Sequence, residues 1–259
     1  MFAAAWLDRA SDIDAVGWSA VLVAPIIGSF LGVLIRRLPE GRSVVWSRSR
    51  CEGCNAPLAA RDLVPLISWI AQRGRCRICR QWLGWFYPGV ELAALSIAVM
   101  AALLDQGIEI WLDCLLGWWL LALAWIDARH WLLPDPLTLP LVIAGLVAAL
   151  VLAPGELASR ALGAAGGYIF FRGLAFLYRR LRGRDGLGQG DAKLLAAAGA
   201  WVGAVALPQV ILIAAFAGLC AAGVMRIAGV RLAASSALPF GPFLALAIWV
   251  VWLLPALTG

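Results

Sequence analysis

The chain has 259 residues, of which 63% are hydrophobic and only 14% are charged, and its formal net charge is +6. A soluble domain carries roughly a quarter charged residues, so this composition excludes an ordinary soluble globular protein. It predicts an all-α polytopic membrane protein whose apolar surplus faces lipid.

Apolar runs long enough to cross a bilayer recur along the chain. A spanning helix needs about 20 mostly apolar residues. This criterion predicts about eight transmembrane helices, at 17–35, 88–105, 110–126, 136–153, 161–178, 191–206, 207–225 and 237–256. The expected organisation is a first transmembrane helix in residues 1–35, a polar insert in residues 36–87 and a transmembrane core in residues 88–259.

Arginines are concentrated in the insert and in the segment between the fifth and sixth predicted helices. Eight helices would put both regions on the same side of the membrane, which the positive-inside rule identifies as the cytoplasm. The positive net charge therefore has a topological explanation, and no nucleic-acid partner is expected. The lipid bilayer is the expected partner of the apolar surface.

The insert contains two CxxC pairs, "CEGC" and "CRIC", which supply Cys51, Cys54, Cys76 and Cys79. Two such pairs about twenty residues apart predict a tetrathiolate zinc site. Zinc would stabilise an insert that is too small for a generous core of its own. Two disulfides, a redox role and unliganded thiols are the alternatives, and a reducing cytoplasm disfavours disulfides.

Two aspartates adjoin apolar segments directly. Asp127 follows the third predicted helix, and Asp191 precedes the run "LLAAAGAWVGAV". Both are expected at the cytoplasmic edge of the bilayer, where two neighbouring carboxyl groups would share one proton and could act as an aspartic-protease pair. Paired acids also serve ion pathways, so the residues alone favour a protease and a proton-coupled transporter equally. Asp135, between two prolines, is interpreted as a helix-start residue.

The segment "GLGQGDAKLL" interrupts the apolar pattern with three glycines before Asp191. Gly186, Gly188 and Gly190 lack side chains, so they would let an extended peptide backbone approach the acid closely. Lys193, the only lysine in the chain, follows two residues later.

These features, in this order, resemble the bacterial type IV prepilin peptidases, which are bifunctional leader peptidases and N-methyltransferases. The resemblance covers nearly the whole chain. It is carried by the two CxxC pairs and by the segments "GSFLGVLIRRLP", "WFYPGVELAAL", "WIDARHWLLPDPLTLP", "GLGQGDAKLLAAAGAWVG" and "LPFGPFLALA".

The resemblance implies that Asp127 and Asp191 are the catalytic pair and that the four cysteines hold a structural zinc ion. It implies cleavage of the leaders of type IV prepilins or type II secretion pseudopilins, at the cytoplasmic face of the bacterial inner membrane. It further implies N-methylation of the new N-terminal residue, with S-adenosylmethionine as the methyl donor. Asp135 matches a recurrent family position outside the catalytic pair, and the role of Lys193 stays open.

The chain departs from the family pattern at the end of the first helix, where Gly32 replaces the usual asparagine. The residues that bind the methyl donor cannot be assigned, because no glycine-rich dinucleotide fingerprint is present. Glu91, an ionisable residue in an apolar segment, is interpreted as a helix-start residue.

Overall fold

The structure is a computed structural model that describes residues 13–46, 48–183, 188–229 and 238–254. Within these residues the regular elements are helical, and extended pairing is limited to two isolated β-bridges in the insert. The nine α-helices are α1 (Ala15–Arg37), α2 (Ile67–Ala71), α3 (Phe86–Leu104), α4 (Glu109–His130), α5 (Asp135–Leu152), α6 (Leu157–Arg182), α7 (Gln189–Val202), α8 (Leu207–Ile227) and α9 (Gly241–Leu253).

The helices confirm the predicted all-α membrane fold. Helices occur at all eight predicted spans, but among the described residues only α1, α3, α4, α5, α6 and α8 are long and apolar enough to cross a bilayer. Helix α7 has 14 residues, which at about 1.5 Å per residue fall short of a hydrocarbon core of about 30 Å. The predicted count of eight spans is therefore not confirmed.

The chain divides into two compact units, residues 1–122 and 123–259. In the first unit, α1 packs closely against α3. A Cβ atom on Gly28 would lie 2.6 Å from the Cα atom of Glu91, and one on Gly32 would lie 2.8 Å from the Tyr87 ring. Glycine at both positions thus lets the two helices approach. At position 32 the missing side chain makes room for an aromatic ring.

The insert belongs to this first unit and is held by aromatic and charged contacts. The rings of Trp69, Trp82 and Trp85 cluster with centroid separations of 4.4 to 5.9 Å. At the end of α1, the Arg36 guanidinium lies 4.6 Å from the centre of the Phe86 ring and also pairs with Glu52 of the insert. These contacts connect the insert to the ends of α1 and α3.

Helix α7 is the central element of the second unit. It packs against α5, α6, α8 and α9, and ten of its residues are buried. Gly163 of α6 packs closely against the C-terminal end of α7. A Cβ atom added to Gly163 would lie 2.7 Å from the Ala204 nitrogen. The Trp201 indole N–H donates a hydrogen bond of 2.9 Å to the Leu141 carbonyl of α5. Because neighbouring helices cover it, α7 can be short.

Candidate active site

The structure brings Asp127 and Asp191 together in the second unit. Asp127 lies in the last turn of α4, and Asp191 is the third residue of α7. Their exposed fractions are only 6% and 8%, and the contact of Gly190 with Leu133 and the ion pair of Lys193 with Asp135 hold the start of α7 against the segment that follows α4. The two predicted catalytic acids thus form one buried dyad.

Two helix N-termini are directed at this dyad. The backbone N–H of Gly241, the first residue of α9, donates a hydrogen bond of 3.0 Å to Oδ2 of Asp127. Asp191 lies in the first turn of α7, next to the N–H groups at the start of that helix. The unpaired N–H groups of a helix N-terminus carry partial positive charge, which favours a carboxylate. The site therefore offsets part of the cost of burying two acids.

Gly241 is a site residue that the sequence analysis did not single out. A Cβ atom on it would lie 2.6 Å from Oδ2 of Asp127, inside van der Waals contact. A side chain at this position would therefore displace the acid or the helix. The segment "LPFGPFLALA" contains a signal for it, because a glycine followed by a proline at the start of an apolar run indicates the start of a helix.

The structure describes two of the three glycines before Asp191, and their surroundings differ. Gly190 lies inside α7 without a positive φ, and a Cβ atom there would meet the Cβ atom of Leu133 at 2.7 Å. That space is thus filled by a buried leucine rather than left open for a peptide, and the prediction for Gly190 is wrong. Gly188 does adjoin the acid, since its added Cβ atom would lie 3.0 Å from Oδ2 of Asp191. Gly186 lies outside the described residues.

Asp135 and Lys193 form an ion pair between the first turns of α5 and α7. Asp135 is the first residue of α5, as the helix-start interpretation predicted. It does not cap the helix, however, because Pro134 occupies the N-cap position and the Asp135 carboxylate pairs with Lys193 instead. The ion pair holds Lys193 near the start of α7, and Lys193 lies two residues after Asp191 in the sequence.

The four cysteines of the insert converge. Their sulfur atoms all lie within 4.8 Å of one another, and the Sγ atoms of Cys51 and Cys79 are 3.8 Å apart. Tetrahedral zinc with Zn–S bonds of about 2.3 Å holds its sulfur ligands about 3.8 Å apart, so the cluster fits a zinc ion. None of the six cysteines, all in described parts of the chain, is in a disulfide.

The two CxxC pairs have the same local structure. In the first, the Gly53 N–H donates to the Cys51 sulfur at 3.4 Å, and in the second the Ile78 N–H donates to the Cys76 sulfur at 3.4 Å. N–H groups of Cys79 and Ile78 lower the pKa of the Cys76 thiol to about 6. The Gln81 N–H lowers the pKa of the Cys79 thiol, but burial and the sulfur atoms of the other three cysteines outweigh it and raise that pKa to about 11. Since the thiolate is the form that binds metal, a cation would bind this cluster with release of protons.

Glu91 is not a helix-start residue. It is the sixth residue of α3 and is buried, with an exposed fraction of 5%. Its Oε2 atom accepts a hydrogen bond of 2.8 Å from the Leu66 N–H of the insert. The carboxylate therefore links α3 to the insert rather than to its own helix terminus.

Two family models match the chain. The bacterial peptidase A24 N-terminal domain matches residues 22–104, and the type IV leader peptidase family matches residues 114–223. The first match contains the cysteine cluster and Glu91, and the second contains both acids of the dyad. No solved structure matches the chain.

Three similar proteins are each named prepilin leader peptidase/N-methyltransferase. The protein of Burkholderia pseudomallei strain 1026b is 40% identical over 253 residues, which cover 87% of this chain and 81% of its own length. That of Aeromonas hydrophila is 39% identical, covering 90% and 88%, and that of Dichelobacter nodosus is 34% identical, covering 92% and 91%. Identity at this level over nearly the whole of both chains shows that the protein belongs to the type IV leader peptidase family.

Proposed function

We propose that the protein is a prepilin leader peptidase that cleaves the leaders of type IV prepilins or type II secretion pseudopilins and then methylates the new N-terminal residue. The observation that carries the proposal is the buried dyad of Asp127 and Asp191, in a chain whose relatives are prepilin leader peptidases by name. The comparisons give no support to the transporter alternative.

In the proposed cleavage step, the two acids share one proton, because two adjacent carboxyl groups do not both ionise cheaply. The ionised acid takes a proton from the attacking water, whose oxygen adds to the scissile carbonyl carbon. The protonated acid then donates its proton to the leaving amine as the C–N bond breaks. The Gly241 N–H would hold Asp127 in place through these steps.

The methyltransferase half needs S-adenosylmethionine, which supplies an electrophilic methyl group on a sulfonium sulfur. When bound, the donor would supply the methyl group that the amine of the cleaved pilin accepts, with S-adenosylhomocysteine and a proton as the other products. The structural zinc ion proposed for Cys51, Cys54, Cys76 and Cys79 takes no part, because four thiolates leave no open coordination position.

We also propose that the protein lies in the bacterial inner membrane with its active site at the cytoplasmic face. Arginines occupy the last turns of α1, α4, α6 and α8, which supports a common cytoplasmic side for these ends. Asp127 lies in one of these last turns.

The experiment is incubation of the purified full-length protein with a purified prepilin, with and without S-adenosylmethionine, followed by mass spectrometry. Loss of the leader alone without the donor, and loss of the leader plus gain of one methyl group with it, are the expected results. An intact prepilin under both conditions would refute the proposed peptidase.

A further inference from the structure

A cavity lies in the first unit where the insert meets α1 and α3. It encloses about 160 Å³, and its described walls come from residues between 29 and 91. A second cavity of about 690 Å³ shares wall residues with it, namely Arg37, Arg50, Cys51, Glu52 and Tyr87. Neither Asp127 nor Asp191 is among these wall residues, so the proposed cleavage chemistry does not account for the cavities.

Glu91 is the buried charge of this cavity. Its carboxylate accepts a hydrogen bond of 2.8 Å from the Leu66 N–H, which is a neutral donor. The other acidic wall residues, Glu52 and Asp62, pair with arginines. Among the ion pairs of the described residues none involves Glu91. A buried carboxylate is costly without a cation, so Glu91 is suited to a positively charged ligand.

The other walls indicate the rest of that ligand. Trp69 and Trp82 line the first cavity, and indole faces stack on heteroaromatic bases and attract cations. Gln72 and Gln81 add amide groups that can hydrogen-bond to hydroxyls. The second cavity is lined by arginines, which bind carboxylates. The combined walls suit a ligand with a planar base, hydroxyls, a cation and a carboxylate.

We propose that these cavities bind the methyl donor S-adenosylmethionine, with Glu91 as the counter-charge to its cationic methionyl portion. The inference rests on the proposed N-methyltransferase function and assigns a site for which the chain has no glycine-rich fingerprint. S-Adenosylmethionine carries an adenine base, ribose hydroxyls, a sulfonium, an ammonium and a carboxylate, so each class of wall residue has a counterpart in it.

The test is equilibrium binding of radiolabelled S-adenosylmethionine to the full-length protein in lipid nanodiscs. Glu91→Gln keeps the shape and the acceptor for the Leu66 N–H but removes the charge, so we expect the Kd to rise by about tenfold or more. Glu156→Gln makes the same change at an exposed residue whose ion-pair partner, Arg160, also lies outside both cavities, and we expect its Kd to equal that of the wild type.

Prepilin cleavage and zinc content are measured on the same samples. The zinc content of Glu91→Gln should equal that of the wild type, which shows that the insert is intact, and Asp127→Asn should bind the donor normally although it does not cleave. Ultraviolet crosslinking of the labelled donor to the wild type, followed by peptide mapping, gives a readout that does not depend on a variant. Label in peptides between residues 29 and 91 is expected.

The assignment of the site would be overturned if Glu91→Gln bound the donor as tightly as the wild type, or if the crosslinks were confined to other peptides. Methylation by the wild type would uphold the proposed function even then. A wild type that cleaves prepilin but neither binds the donor nor methylates would refute both the site and the methyltransferase half. The peptidase proposal would survive that result.

Discussion

The backbone N–H of Gly241 donates a hydrogen bond of 3.0 Å to the carboxylate of Asp127, although the two residues are 114 positions apart. The start of α9 is thereby held against the last turn of α4. Because the glycine has no Cβ atom, its backbone can approach the acid directly.

Gly241→Ala should therefore impair cleavage more than folding. The new methyl group would lie 2.6 Å from Oδ2 of Asp127 and must displace it. A displacement of about 1 Å in a catalytic group can lower the rate by about 100-fold, which is the expected loss in initial cleavage rate. Gly173→Ala is the matched control, since nothing lies within 4 Å of an added Cβ atom there. Equal rates for the two variants would contradict the proposed role.

The acids near the dyad should differ in importance. Asp127→Asn and Asp191→Asn should each lower the cleavage rate by about 1,000-fold or more, because either change removes the shared-proton pair. Asp135→Asn should lower it by less than about fivefold, since the side chain is half exposed and such ion pairs contribute about 0–1 kcal/mol. Initial rates on one prepilin check this, and an inactive Asp135→Asn would show that the catalytic assignment is wrong.

A double mutant tests whether Leu133 is the reason for glycine at position 190. Gly190→Ala should lower stability by about 1–3 kcal/mol, because its Cβ atom would meet the Leu133 side chain at 2.7 Å. Adding Leu133→Ala to Gly190→Ala should recover most of this loss, since alanine is otherwise favourable within a helix. Melting temperatures in detergent are measured for the wild type, the two single variants and the double variant. Strictly additive effects would indicate that the two residues do not interact.

Removal of one zinc ligand should destabilise the insert. We expect the wild type to contain one zinc ion per chain, and Cys51→Ser to lose it with a fall in melting temperature of about 10 °C. Cys220→Ser is the control, because that cysteine is exposed on α8 and lies outside the cluster. Loss of zinc from Cys51→Ser at an unchanged melting temperature would refute a structural role for the metal.

Asp14 should contribute to stability in a pH-dependent way. Its carboxylate caps α1 by accepting from the Gly17 N–H at 2.7 Å and also accepts from the Gly107 N–H at 3.0 Å, and these bonds lower its pKa. Because the folded-state pKa is the lower one, the stabilisation is complete above the unfolded pKa of about 4 and is lost as the pH falls through the folded value. Asp14→Asn should therefore melt below the wild type at neutral pH, and the difference should shrink in acid. A difference independent of pH would contradict this.

Local sequence patterns determined the helices and the cysteine cluster. Apolar runs predict helices wherever the chain must satisfy its backbone hydrogen bonds in lipid. The two CxxC pairs form equal turns because each is organised by hydrogen bonds within its own few residues. The order of the motifs also identified the family before any contact was known.

Only the tertiary structure decided how separate segments complete the site. The hydrogen bond from Gly241 to Asp127, the contact of Gly190 with Leu133 and the ion pair of Lys193 with Asp135 join residues from different helices. In the same way, Glu91 reaches the Leu66 N–H 25 positions away instead of its own helix terminus. Helical periodicity specifies which face of a segment is apolar, but the partner of each side chain depends on how the helices pack.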